Sequence, residues 1–152
     1  MFKLQNNLQI ILPMNKLLKF FFLIFILFFS ISASEINFFE LGKVEFKKNN
    51  MEKARLFFEK DIVRNPKNKD SYIYLAKIYK KQKNIDEFEK NLNTVLLLDP
   101  KNEEALYFLI LQKIKDGDFD FADKKVKIFE KVCSNMCQKT KELKKKIKKT
   151  TG

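Results

Sequence analysis

Apolar residues recur at three- and four-residue steps along most of the chain, in stretches as long as a helix. Leu75, Ile78 and Tyr79 follow this spacing, and a second stretch continues it from Phe88. The two Pro-Lys-Asn segments that begin at Pro66 and at residue 100 are 34 residues apart, and each closes one apolar stretch before the next begins. A period of 34 that contains two helix-length stretches is typical of stacked helix-turn-helix repeats. We therefore predict an all-α solenoid.

Residues that favour helix ends lie at the breaks in this pattern. Asn50, Asn84 and Asn102 each precede a new apolar stretch, and each is predicted to cap a helix N-terminus. Gly117 is predicted to supply a left-handed turn, and Asp118 to cap the helix that follows it. These positions divide residues 35–136 into helical hairpins of equal length.

Residues 35–136 resemble the tetratricopeptide repeat (TPR) family in three units, 35–68, 69–102 and 103–136. The residues at the signature positions are Phe38, Leu41, Gly42, Ala54, Phe58 and Pro66 in the first unit, Tyr72, Leu75, Ala76, Phe88, Leu92 and Pro100 in the second, and Leu106, Leu109, Ala122, Val126 and Phe129 in the third. The departures are Glu45 and Lys113 for an aromatic residue, Ile110 for a small one, Asp61 for alanine and Ser134 for proline. The resemblance implies an α-α superhelix and a close helix contact at Gly42.

The resemblance also implies that the first helix of each unit lines an inner groove that binds a protein or peptide. The residues at those places are Phe39, Lys43, Phe46, Lys47, Ile73, Lys77, Lys80, Lys81, Tyr107, Leu111, Ile114 and Lys115. Lys47, Lys81 and Lys115 share one repeat position, which favours a partner of acidic character; the alternative is that these lysines only fill a solvated face. Family members that clamp a C-terminal carboxylate use other places, here Phe39, Lys43, Tyr74, Glu104 and Phe108. Only Lys43 suits a clamp there, so we do not expect one.

The C-terminal segment, residues 137–152, is strongly basic. It carries seven lysines and one acid, which is half of the net charge of +12. Leu143 and Ile147 form a narrow apolar stripe within it. The resemblance implies a capping helix over the end of the stack. The competing interpretation is that the segment from Lys144 to Lys149 contacts an anionic membrane surface.

Residues 1–34 have the three parts of a secretory leader. A basic segment begins at Met14, which we take as the candidate true start; an apolar run follows from Phe20, and small residues end at Ser34. The uncharged stretch is shorter than the roughly 20 residues that span a bilayer. We expect cleavage after Ala33 or Ser34 and an exported, periplasmic protein. An uncleaved leader would instead anchor it in the inner membrane. Export makes a nucleic-acid partner unexpected.

Cys133 and Cys137 are four residues apart. In a regular helix their Cβ atoms would lie about 5–6 Å apart, too far for a disulfide without distortion. A helix break at Ser134 and Asn135 would allow one, and oxidising compartments favour it. The alternative is a pair of buried thiols.

No catalytic pattern is present in the sequence. Histidine is absent, and we find neither a glycine-rich phosphate loop nor a nucleophile next to a base. We therefore expect no enzyme activity, no metal and no cofactor. The predicted function is that of an exported, non-catalytic TPR scaffold that binds a protein or peptide in its groove. The alternative is a membrane-anchored structural protein of the envelope, which uses an uncleaved leader and the lysine-rich tail on lipid.

Overall fold

The helices follow the predicted repeat. The computed structural model describes residues 36–151, together with Lys16, Phe20 and Phe21. The predicted leader otherwise lies outside the described residues. Residues 36–151 form seven helices, which are α1 (Phe38–Lys47), α2 (Met51–Arg64), α3 (Lys69–Lys81), α4 (Ile85–Leu98), α5 (Glu103–Asp116), α6 (Phe119–Val132) and α7 (Lys139–Thr151). The chain divides into two units, Met1–Ile36 and Asn37–Gly152, and the seven helices belong to the second.

Consecutive helices pack in antiparallel hairpins, α1 with α2, α3 with α4, and α5 with α6. The second helix of each hairpin also packs against the first helix of the next, and α7 packs against both α5 and α6. The prediction of three helix pairs closed by one further helix is therefore confirmed. None of the helices in the described part of the chain is both long and apolar enough to cross a bilayer.

The core is shared between neighbouring hairpins. One cluster joins Ala54 and Phe58 of α2 to Leu75 and Ile78 of α3. The second runs from Ala76 and Phe88 to residues of α5, and the third ends on Leu143 of α7. Two of the clusters take side chains from two hairpins, and the third takes them from one hairpin and α7. One hairpin alone would therefore leave much of its apolar surface in water.

Gly42 lies where α1 approaches α2 most closely. A Cβ atom added at Gly42 would lie 2.6 Å from Cε1 of Phe58, whose ring is fully buried. The close contact expected at Gly42 is confirmed, since only glycine leaves room for this ring.

The turns inside the three hairpins share one conformation. Asn49, Lys83 and Gly117, each 34 residues from the next, have φ angles of 63°, 60° and 81°. After these turns, Asn84 accepts a hydrogen bond from the N–H of Glu87 and Asp118 accepts one from the N–H of Phe121.

The other two predicted caps have different outcomes. Asn102 accepts a hydrogen bond from the N–H of Ala105, as predicted. The prediction of a side-chain cap at Asn50 is wrong. Asn50 occupies the cap position of α2, but its amide donates to Oε2 of Glu45 at 2.8 Å. The nearly buried Glu45 carboxylate competes for this side chain.

Polar pairs compensate for two of the departures from the family pattern, Asp61 and Lys113. The buried Asp61 accepts hydrogen bonds from Ser71 Oγ at 2.5 Å and from Asn68 Nδ2 at 2.7 Å. Lys113 forms an ion pair with Glu89 at 2.7 Å. A buried polar group costs little when it is paired in this way, so these substitutions are compatible with the stack.

A short loop without helix joins α6 to α7. Cys133 and Cys137 form a disulfide across it, with Cα atoms 5.2 Å apart. The Glu103 carboxylate accepts hydrogen bonds from the Ser134 hydroxyl and from the backbone N–H groups of Ser134, Asn135 and Met136. These donors lower the pKa of Glu103 to about 2, with the Ser134 hydroxyl contributing most. Glu103 thus fastens the loop to the start of α5.

Candidate functional site

The first helices of the three hairpins lie side by side and form one face, which we call the A-helix face (α1, α3 and α5). Tyr74 joins α1 to α3, since its ring centroid lies 6.0 Å from that of Phe39 and 5.1 Å from that of Phe46. Lys77 joins α3 to α5 through an ion pair with Glu104 at 2.7 Å. These contacts hold the face together, so its side chains keep fixed spacings.

The apolar residues predicted for the groove are less exposed than expected. The prediction that Ile73 lines the surface is wrong, because its side chain is only 5% exposed and belongs to the second core cluster. Tyr107, Leu111 and Ile114 are half-buried and pack against the cluster that contains Leu143 of α7. The third unit therefore offers less apolar surface to a partner than the sequence suggested.

Tyr74 is a surface residue that the groove prediction missed. Its ring stacks on Phe58, with centroids 4.8 Å apart, and Lys77 lies over it at 5.1 Å. Phe108 stands at the same place in α5, one position after Tyr107, and Lys80 lies 4.5 Å from its ring centroid. The error is one residue of helical register, about 100° around the axis.

The six lysines predicted for the groove fall into two groups. Lys43 is paired with Glu40 at 2.9 Å, a bond that raises the pKa of the lysine, and Lys77 is paired with Glu104. Within residues 36–151, the other four have no carboxylate oxygen within 4.0 Å of the ammonium group. These four are Lys47, Lys80, Lys81 and Lys115, all of them exposed. The unneutralised charge therefore lies near the C-terminal ends of the three helices.

The basic tail shows the same division. Lys144 is paired with Glu130 of α6 at 2.8 Å, and Lys146 lies 3.8 Å from Glu142. Lys145, Lys148 and Lys149 are exposed, and no carboxylate in the described residues lies within 4.0 Å of them. Part of the tail's charge is therefore neutralised by ion pairs with acids of α6 and α7, and part faces the solvent.

Residues 36–151 contain no group of three or more histidine, cysteine, aspartate or glutamate side chains placed to hold a metal ion. What the site presents is an extended surface of rings and ammonium groups.

The hairpin stack and its A-helix face define a helical-repeat protein. Residues 70–102 match the family model of the tetratricopeptide repeat, so this unit is a TPR and the described helices have the fold of a TPR domain. No curated protein matches the chain.

The solved structures that share this fold include three TPR domains. The chain is 18% identical to the TPR2B domain of yeast Sti1, in a complex with pHsp70, with a TM-score of 0.64 over 72% of this chain and 91% of that one. It is 19% identical to the first TPR of Spaghetti (RPAP3), bound to the HSP90 peptide SRMEEVD, with a TM-score of 0.66 over 76% of this chain and 91% of that one. The Sgt2 TPR domain from Aspergillus fumigatus is 16% identical to the chain, with a TM-score of 0.62 over 75% of this chain and 79% of that one.

Proposed function

We propose that this protein is a non-catalytic scaffold that binds a protein or peptide partner on its A-helix face. The observation that carries the proposal is the combination of aromatic rings with four lysines that have no acidic partner on this face. Of the domains that share the fold, that of Sti1 is seen in a complex with pHsp70 and that of RPAP3 is bound to an HSP90 peptide. Rings supply apolar contact area, and ammonium groups select acidic side chains.

The partner is acidic and need not end in a free carboxylate. The two ionic residues at the clamp places, Lys43 and Glu104, are already paired with Glu40 and Lys77. An ion pair within the protein competes with a ligand for the same ammonium group, whereas Lys47 and Lys81 have no such competitor. We therefore assign the attraction to these unneutralised lysines.

Capture in cells tests the assignment. The full chain would be crosslinked in its own cells, comparing wild type with the double variant Lys47→Glu and Lys81→Glu. The matched control is Lys124→Glu with Lys131→Glu, which changes the charge equally on exposed positions of α6. We expect the groove variant to lose a crosslinked partner that the control retains. Equal capture by both variants would contradict the assignment.

We further propose that the protein acts outside the cytoplasm, in the periplasm. The leader pattern over residues 1–34 supports export, and the disulfide between Cys133 and Cys137 suits an oxidising compartment. N-terminal sequencing of the exported protein tests the proposal, with a new terminus expected just after Ala33 or Ser34. Recovery of the Phe20 segment on the exported protein would refute cleavage.

The exposed lysines of α7 favour a second candidate, a structural protein held on the membrane. Lys145, Lys148 and Lys149 face outward, and clustered lysines attract anionic lipid by about 1 kcal/mol each near the surface. Fractionation separates the two candidates. High salt would release a scaffold that touches lipid only through these lysines, whereas a protein anchored by its leader would stay in the pellet until detergent is added.

A further inference from the structure

A basic cleft lies beside the A-helix face, where the turn between α3 and α4 meets the last turns of α5. Its volume is about 400 Å³, and it is lined by Lys80, Lys83, Ile85, Leu111, Gln112 and Lys115. Three lysines and two apolar residues thus line one opening. Its lining includes no carboxylate.

Two acidic residues of the adjoining helices are engaged elsewhere. Asp116 follows Lys115 in the sequence, yet its carboxylate accepts a hydrogen bond from Gln112 at 2.8 Å. Glu89 is paired with Lys113. Within residues 36–151, Lys80, Lys83 and Lys115 have no carboxylate oxygen within 4.0 Å of their ammonium groups. The fold therefore keeps three like charges together although acids are close by.

Lys80 is held in place by the rings around it. Its ammonium group lies 4.5 Å from the ring centroid of Phe108 and 5.6 Å from that of Phe88. Partial burial beside these rings lowers the pKa of the otherwise exposed Lys80, and the neighbouring charge of Lys115 lowers it further. A lysine near a helix C-terminus complements the helix dipole. That general preference explains one lysine in each last turn, but it does not explain why three meet in one cleft.

Lys83 occupies a backbone position that does not favour lysine. Its φ angle is 60°, and the equivalent turn positions in the other two hairpins hold Asn49 and Gly117, the residue types that adopt this conformation most readily. The second hairpin therefore has a less favourable residue at this turn, and that residue adds a positive charge to the cleft. Strained residues of this kind cluster at functional sites.

We propose that this cleft binds an internal acidic segment of the partner, in which at least two carboxylate side chains meet Lys80, Lys83 and Lys115 while an apolar side chain contacts Ile85 and Leu111. The apolar lining favours a peptide over a phosphate ion, which would leave those side chains without a contact. The inference rests on the proposed scaffold function, and it adds Lys83 and the turn edge to the binding surface.

The test measures peptide binding by fluorescence anisotropy on the full chain. The probe is a labelled octapeptide that alternates glutamate with leucine and is blocked at both ends, so that no free carboxyl terminus is present. The comparison probe has glutamine in place of glutamate. The variants are Lys80→Gln with Lys115→Gln, and separately Lys83→Asn; the control is Lys124→Gln with Lys131→Gln on α6.

We expect the acidic probe to bind wild type and the control equally, and to bind the Lys80 and Lys115 variant at least about tenfold more weakly, because charge-assisted hydrogen bonds are lost. Lys83→Asn should weaken binding while the melting temperature stays the same or rises, since asparagine suits the turn. If Lys83 served only folding, the Lys83→Asn variant would bind the probe as wild type does and would melt at a lower temperature. The glutamine probe should not bind.

Four results would overturn the inference. The first three are no binding of the acidic probe to wild type, equal binding of that probe to all variants, and equal binding of the glutamine probe. The fourth is that the variants differ from wild type only in cosedimentation with phosphatidylglycerol vesicles, and not with phosphatidylcholine vesicles. The last would assign the lysines to lipid. If a partner is still captured in cells while peptide binding ignores these lysines, the scaffold function stands and only the cleft assignment fails.

Discussion

Replacing Gly42 by alanine tests the packing of the first hairpin. The added Cβ atom would lie 2.6, 2.8 and 2.9 Å from three carbons of the Phe58 ring. This ring is fully buried and stacked on Tyr74, and Phe39 lies 6.0 Å away between centroids. A rigid ring in this position has no free direction in which to move. Helix α1 must therefore shift.

The expected magnitude follows from two opposing effects. Overpacking a closed core costs about 1–3 kcal/mol, whereas alanine in place of glycine inside a helix contributes about 1 kcal/mol in favour of folding. Because the clash is with a ring rather than a flexible side chain, we take the upper half of the first range. The net loss in the free energy of unfolding is then about 1–2 kcal/mol, which corresponds to a fall in melting temperature of about 5 °C.

Urea denaturation followed by circular dichroism measures this loss. The variant Phe58→Leu, made alone and together with Gly42→Ala, should show a coupling above about 0.5 kcal/mol, because the smaller side chain relieves the clash. Gly117→Ala is the control: nothing lies within 4 Å of its added Cβ, and its cost, due to a φ of 81°, should not couple to Phe58. If Gly42→Ala is more stable than wild type, helix propensity governs the site and our packing argument is refuted.

Three further predictions concern the C-terminal part of the chain. Glu103 has a pKa of about 2 in the folded protein, below its ordinary value of 4.5, so its contribution to the free energy of unfolding is complete above about pH 4.5 and is lost as the pH falls toward 2. A Glu103→Gln variant should lack this pH dependence in thermal melts, and a variant with the wild-type pH profile would contradict the assignment. Leu143→Ala should lower the unfolding free energy by about 2–5 kcal/mol, because the side chain is fully buried between α7 and its neighbours; a loss below 0.5 kcal/mol in urea would show that α7 does not cap the stack. Mass spectrometry after alkylation should find Cys133 and Cys137 blocked until reductant is added, and reduction should destabilise the protein by about 2 kcal/mol; alkylation of both thiols without reductant would count against the disulfide.

The repeat could be predicted because its signals are local or periodic. Pro66 and Pro100 mark the period, and the apolar steps inside it fix two helices per unit. Gly42 was interpretable for the same reason, since a glycine inside a helix needs a close neighbour to explain it.

The surface was harder to predict than the core. Ile73 and Tyr74 are adjacent and both can pack in an apolar core, so the sequence could not tell which one faces outward. The packing of the helices buries Ile73 and leaves Tyr74 beside Lys77. Asn50 had the right type for a cap, but the competing carboxylate of Glu45 comes from the preceding helix. Both errors arise where a second element decides between two local preferences.

The amino-acid sequence by itself determined the class of fold, the number of hairpins and the helix ends, because helix formation depends on neighbours three or four residues away and the repeat multiplies that signal. Only the tertiary structure decided which lysines are neutralised by an acid from another hairpin. Lys77 pairs with Glu104 of the next hairpin, while Lys80, Lys83 and Lys115 line one cleft. Lys77 and Glu104 belong to different hairpins, and the side-chain geometry that pairs them exists only once the hairpins have stacked.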